Sequence, residues 1–168
     1  MSYTLEQLSA DCRAAIDQER GPAGREEVRK FIAKACADDE FVATHLGPDN
    51  MTARQVIYED DKHKFCILAH VYEGAKGSSP HDHGPSWAIY GQAVGVTSMT
   101  DWEKVVEPSG DAPGKVKKVK DYDMTRGIAY LYNEGDLHSP SRTATTRLIR
   151  VEGQDLTGVK RDKYEAVA

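Results

Sequence analysis

The sequence predicts a mainly β protein, a sandwich or barrel that carries a small helical layer at its N-terminal end. Two observations predict it. From Leu5 to Leu46 the apolar residues recur at helical spacing, whereas from about residue 53 the period falls to two and Gly- and Pro-containing turn signals follow at short intervals. Short strands separated by such turns pack as sandwiches or barrels. At 168 residues the chain is long enough to bury one core without disulfides or a structural metal.

The elements follow in order. Thr4 and Gln7 stand as a capping box, and Leu5, Leu8, Cys12 and Ile16 share a face, so a first helix runs from about residue 5 to 20. Gly21-Pro22-Ala23-Gly24 breaks it. Val28, Phe31, Ile32 and Ala35 then form a second apolar stripe, and Asp38 or Asp39 caps a third, short helix that ends before Gly47-Pro48. The predicted strands span 54–59, 64–73, 81–83, 86–99, 115–122, 127–132 and 143–152. Between them lie turn-rich intervals, among them Gly74 to Pro80, Pro108 to Gly114, Asn133 to Asp136 and Ser139 to Ser141. The expected organisation is a single domain over 1–168, with a helical cap at 1–47, a barrel at 53–156 and a tail at 157–168.

Composition narrows the function. Net charge is −5, and the one basic cluster, Lys115 to Lys120, alternates with Val as an exposed strand face does, so nucleic acid is not an expected partner. Cys12, Cys36 and Cys66 are widely spaced in apolar segments and read as buried, reduced thiols. The N-terminus lacks the pattern of a signal peptide, and no apolar stretch is long enough to span a membrane. A cytoplasmic chain without membrane contact is the expectation.

The chemistry gathers at His81-Asp82-His83, which follows Gly77-Ser78-Ser79-Pro80. On a strand, two imidazoles one residue apart point to the same face and can chelate a metal. His138, after Gly135-Asp136-Leu137, is the third candidate ligand, and three neutral imidazoles suit Zn, Fe, Cu or Ni while leaving coordination positions for a substrate. An isolated His-x-His more often sits in a polar loop and binds nothing. Of the other histidines, His70 reads as a packing or supporting residue in phase with Cys66, Leu68 and Tyr72, while His45 and His63 read as solvent-facing. Trp87, Tyr90 and Tyr130 flank the histidines as core or as pocket lining. Asp82 and Asp136 are candidates for orienting an imidazole rather than ligands.

These residues resemble the two cupin motifs. The first is similar to Gly, five residues, His-x-His, three or four residues, Glu, six residues, Gly; the chain supplies Gly74 or Gly77, His81, His83 and Gly95, with Trp87 and Ala88 where the Glu falls. The second is similar to Gly, five residues, Pro-x-Gly, two residues, His; the chain supplies Gly127, Asn133 in place of Pro, Gly135 and His138. Without the carboxylate ligand, the site resembles that of the cysteine dioxygenase group of thiol dioxygenases. The resemblance implies a cupin double-stranded β-helix, a jelly-roll barrel with an N-terminal α-helical cap, in which His81, His83 and His138 hold Fe(II), with Zn, Ni or Mn as alternatives. It further implies a mononuclear non-haem iron dioxygenase that acts on a small thiol or carboxylate-bearing substrate with O2, Arg54 clamping the carboxylate. From their strand positions, Trp87 and Tyr90 are the candidates to contact that substrate.

One stretch departs from that group. Where its members carry a Ser-x-His-x-Tyr run, the chain reads Leu148-Ile149-Arg150-Val151-Glu152, so inward alternation places Arg150 and Glu152 in the pocket as candidate catalytic residues. There Arg150 binds an acidic substrate and Glu152 serves as general base. A one-residue slip turns both to solvent and lines the barrel with Ile149 and Val151. The alternatives are a non-oxidative metal-dependent cupin (isomerase, hydrolase or lyase) and a ligand-binding cupin without catalysis. Oligomeric state is left open.

Overall fold

A computed structural model describes residues 2–167. Three helices come first, α1 (Leu5–Gln18), α2 (Pro22–Ala37) and α3 (Asp39–Leu46). Their ends follow local chemistry: Thr4 and Gln7 exchange both hydrogen bonds of the capping box, Pro22 opens α2, and the Asp38 carboxylate accepts from the Phe41 amide to cap α3. Ten strands follow, β1 (Gln55–Glu59), β2 (Cys66–Tyr72), β3 (Lys76–Gly77), β4 (Ala88–Val94), β5 (Thr97–Val106), β6 (Gly114–Met124), β7 (Ala129–Tyr132), β8 (Leu137–Arg142), β9 (Thr146–Glu152) and β10 (Tyr164–Ala166).

They form two five-stranded sheets, ordered β1-β2-β9-β4-β7 and β10-β6-β5-β8-β3. The chain passes from one sheet to the other at every connection except β1 to β2 and β5 to β6. The strands β2-β9-β4-β7 and β6-β5-β8-β3 therefore close a double-sheet jelly roll, with β1 and β10 each added at one edge. Pairing is antiparallel except where β10 joins β6 in parallel.

The first sheet is covered on both faces. Ile67, Ala69 and Val71 of β2, Ile89 and Ala93 of β4, and Ile149 and Val151 of β9 point outward and pack with Leu8, Cys12 and Ile16 of α1 and Val28, Ile32 and Cys36 of α2. The alternate residues point into the barrel, where Ala88, Tyr90, Met99, Met124 and Tyr132 form a second apolar cluster. This is why β2 is buried from Cys66 to Val71. Asp60, fully buried in the turn after β1, accepts from Arg13 Nε of α1 at 2.6 Å, from Tyr58 Oη at 2.8 Å and from the His63 amide at 2.7 Å, which ties the helical layer to the barrel.

Several sequence expectations are corrected here. The single strand expected over 86–99 is two, β4 and β5, separated by a turn at Gly95, whose φ of +78° suits glycine. Ser139 to Ser141, expected as a turn, lies within β8. The stretch 81–83 contributes only an isolated bridge at His81, and the 157–168 tail contains β10. Lys117 and Lys120 do face outward, next to Glu103 and Asp101 on β5 at 4.0 and 3.7 Å. His63, expected in solvent, has a side chain only 5 % exposed and bonds Asp17 of α1 at 2.6 Å. All three cysteines are buried thiols.

Helix α2 lies close over β4 at Gly91, where an added Cβ would fall 2.5 Å from Ile32 Cγ2 and 2.8 Å from Cys36 Sγ. Gly91→Ala is expected to lower the free energy of unfolding by about 1 to 3 kcal/mol through overpacking, as measured by urea titration. Unchanged stability would show that α2 yields freely over β4.

Candidate metal centre

His81 and His138 face each other across the short bridge that links the segment after β3 to β8. Each amide donates to the other's carbonyl at 3.0 Å, so the two side chains leave the same face side by side. His83 joins them, and the candidate ligand atoms of the three lie within 4.8 Å of one another. His83 Nε2 is 3.2 Å from His138 Nε2.

The imidazole tautomers follow from their partners. His81 Nδ1 lies 2.9 Å from the Ser79 carbonyl and His138 Nδ1 lies 2.9 Å from the Asp136 carbonyl. A carbonyl only accepts, so both Nδ1 atoms carry protons and both Nε2 lone pairs face the centre. Asp136 thus orients His138 through its backbone, while its carboxylate accepts from the Asn133 amide. Asp82 Oδ1 accepts from the Gly84 amide. Burial keeps the rings neutral: it is the largest influence lowering all three, and it pushes His138 down to about 3. Converging lone pairs on neutral, buried nitrogens are the donor set a divalent metal requires, and a cation at their centre satisfies all of them at once. The residues present fit a metal.

A cavity of about 570 Å³ reaches His83 and is lined by Arg54, His70, Tyr72, Arg150, Glu152 and Arg161, among others. The register of β9 decides the orientation of its charges: Arg150 lies between Leu68 and Tyr90, and Glu152 between Cys66 and Ala88, both on the inward face. Arg150 donates to Tyr72 Oη at 3.0 Å and lies 3.6 Å from Glu152 Oε1. Arg54 sits 3.5 Å from Glu152 Oε2 and 3.5 Å from Asp155 at the mouth. Three arginines against one buried carboxylate give the cavity a positive field.

Two sequence-predicted pocket residues lie elsewhere. Trp87 has the opposite parity to Tyr90, so it turns outward into the apolar layer beneath the helices, with the Arg25 guanidinium 5.4 Å from its ring. Tyr90 points inward but lies under the imidazoles rather than on the cavity wall. It is 1 % exposed, with its hydroxyl 3.0, 3.3 and 3.4 Å from Nε2 of His83, His138 and His81. His70 and Arg161 line the cavity without having been singled out as pocket residues. The signal for His70 was its phase with Leu68 and Tyr72, whereas Arg161 arrives from the tail, where no period marks it.

No protein-family model matches the chain, and no curated protein matches its sequence. Among solved structures, it is similar to a cupin superfamily protein from Desulfitobacterium hafniense, with 10% identity over 61% of this chain and 76% of that chain and a TM-score of 0.44. A cupin-2 domain containing protein from Shewanella frigidimarina gives 13%, 61%, 81% and 0.44 for the same quantities. The cupin domain of Schizosaccharomyces pombe Cnp3 gives 10%, 67%, 73% and 0.47. The barrel has the double-stranded β-helix, jelly-roll topology that the sequence predicted, as its own strand order shows.

His70 supplies a measurable pH effect. Burial, then Arg150 and Arg54, push it from its ordinary 6.5 down to about 2. Below pH 6.5 the unfolded chain binds a proton at His70 that the folded chain refuses, so stability is greatest above pH 6.5 and is lost as pH falls toward 2. His70→Gln is expected to flatten the pH dependence of unfolding between about pH 4 and 6 by one proton, about 1.4 kcal/mol per pH unit. Urea titrations across that range check it; an unchanged slope would place the missing proton elsewhere.

Proposed function

We propose that the chain is a mononuclear non-haem iron dioxygenase of the cysteine dioxygenase-like cupin group, oxidising a small thiol or carboxylate-bearing substrate with O2. One observation carries this reading: three neutral imidazoles converge beside a cavity that holds Arg54, Arg150 and Arg161. His81, His83 and His138 would hold Fe(II), which supplies a redox-active centre where substrate and O2 meet.

The chain's own residues would select and orient the substrate. Arg150, steadied by Tyr72 and Glu152, offers a planar fork that matches a carboxylate, and Arg54 at the mouth adds a second cation. Glu152 is buried, and its Oε2, 3.5 Å from Arg54, accepts no hydrogen bond among the described residues, which leaves a lone pair to take a proton from a bound thiol or acid. His70 and Tyr72, 3.1 Å apart, form a neutral polar wall on the same side. The same carboxylate oxygen also supports a second reading, a non-oxidative metal-dependent cupin in which Glu152 moves the proton.

Protein purified without oxygen is expected to contain one equivalent of iron per chain and to consume O2 with a small thiol or carboxylic acid in an oxygen-electrode screen. Turnover under strict anaerobiosis would overturn the dioxygenase and favour the second reading. Once a substrate is found, Arg150→Met is expected to raise KM by about 10- to 100-fold, the worth of a charge-assisted hydrogen bond, with a smaller change in kcat. Glu152→Gln is expected to lower kcat; unchanged kcat and KM would remove Glu152 from the mechanism.

A further inference from the structure

We propose that Tyr90 is the fourth protein ligand of the metal site, binding the ion through its phenolate oxygen. The inference rests on the metal-binding reading above and adds one donor to it.

The geometry of four atoms points there. Tyr90 Oη lies 3.0, 3.3 and 3.4 Å from the Nε2 atoms of His83, His138 and His81, and His83 Nε2 is 3.2 Å from His138 Nε2. Donors about 2.0 to 2.1 Å from a tetrahedral ion stand about 3.3 Å apart from one another. These four of the six separations match edges of such a tetrahedron, and the two from His81 to the other imidazoles lie within 4.8 Å. A hydroxyl that only hydrogen-bonded would serve one lone pair with its single proton, yet here Oη is almost equally near three nitrogens.

Sequence position and charge agree with the geometry. Ala88 is an inward residue of β4 whose side chain carries no donor. Tyr90 lies one inward step further along the same strand, and its longer side chain reaches the imidazoles that Ala88 cannot. The Arg150 guanidinium lies 4.4 Å from the Tyr90 ring centroid, where a cation stabilises a negative phenolate as well as the neutral ring face. Tyr132, stacked on His138 at 3.9 Å and edge-on to Tyr90 at 5.4 Å, holds both rings in place. On coordination the O–H bond of Tyr90 breaks, the oxygen donates its electron pair to the ion, and the proton leaves to solvent.

The test loads the whole protein with Fe(III) and records metal content, visible absorption and resonance Raman spectra of the parent and of Tyr90→Phe. The expected parent shows one iron per chain, a phenolate-to-iron charge-transfer band and enhanced tyrosinate ring modes. Tyr90→Phe is expected to keep one iron and lose both the band and the modes. Zn(II) affinity, measured by chelator competition, is expected to fall by at least about tenfold in the same variant. A parent that binds iron without a phenolate band, or a band that survives in Tyr90→Phe, overturns the proposal while leaving the three-histidine site intact. A parent that binds no metal overturns both readings. Should Tyr90→Phe fail to fold, parent protein grown on ring-deuterated tyrosine decides the question: shifted Raman modes support the phenolate, and their absence overturns it.

Discussion

The His81 amide donates to the His138 carbonyl and the His138 amide donates to the His81 carbonyl, both at 3.0 Å, and this narrow pair fixes where the site can exist. Such a pair sets two side chains next to each other on one face. It brings together two segments far apart in sequence, and it forms only because β8 runs between β5 and β3 once the jelly roll has closed. His83, one step beyond the alternate residue Asp82, then reaches the same point. The three-histidine cluster is therefore a product of barrel closure, supported by two carbonyls, from Ser79 and Asp136, that fix the direction of the His81 and His138 lone pairs.

The first sheet separates stability from chemistry by the simple alternation of its strands. Outward residues of β2, β4 and β9 are apolar and packed under α1 and α2, while the inward face carries His70, Tyr72, Tyr90, Arg150 and Glu152. Buried polar groups cost free energy unless partnered. Here the partners are largely one another: Arg150 with Tyr72 and Glu152, Arg142 with Thr97 at 3.1 Å and over the Tyr72 ring at 4.2 Å. The helical layer lets the barrel hold this polar interior, because the apolar burial a small barrel needs has been moved to the outer face of the sheet.

Much of the helical layer was legible because its signals are local. Thr4, Gln7, Pro22 and Asp38 act within a few residues of themselves, and the stripes through Leu8, Cys12 and Val28, Ile32 are periodic over several turns. The failures are equally physical. Ser139-Pro140-Ser141 has turn composition, yet Pro140 lies in β8 opposite Met99, with its carbonyl accepting from Ser78 beside the very short β3. Trp87, immediately before β4, and Tyr90, within it, are three residues apart and turn to opposite faces, so only Tyr90 joins the site.

By itself the sequence determined the two periodicities, the helix caps, the acidic charge and the presence of two imidazoles aligned by alternation, with a third after a glycine turn. These are properties of neighbours along the chain. Only the tertiary structure decided that Arg150 and Glu152 face inward, that Arg54 and Arg161 close the same cavity, and that the Tyr90 hydroxyl sits among three Nε2 atoms. The directions of Tyr90, Arg150 and Glu152 depend on strand register, which is set by pairing between distant segments, where a slip of one residue would send them to the opposite face. Arg54 and Arg161, by contrast, reach the cavity from outside the strands, where only the path of the closed chain places them.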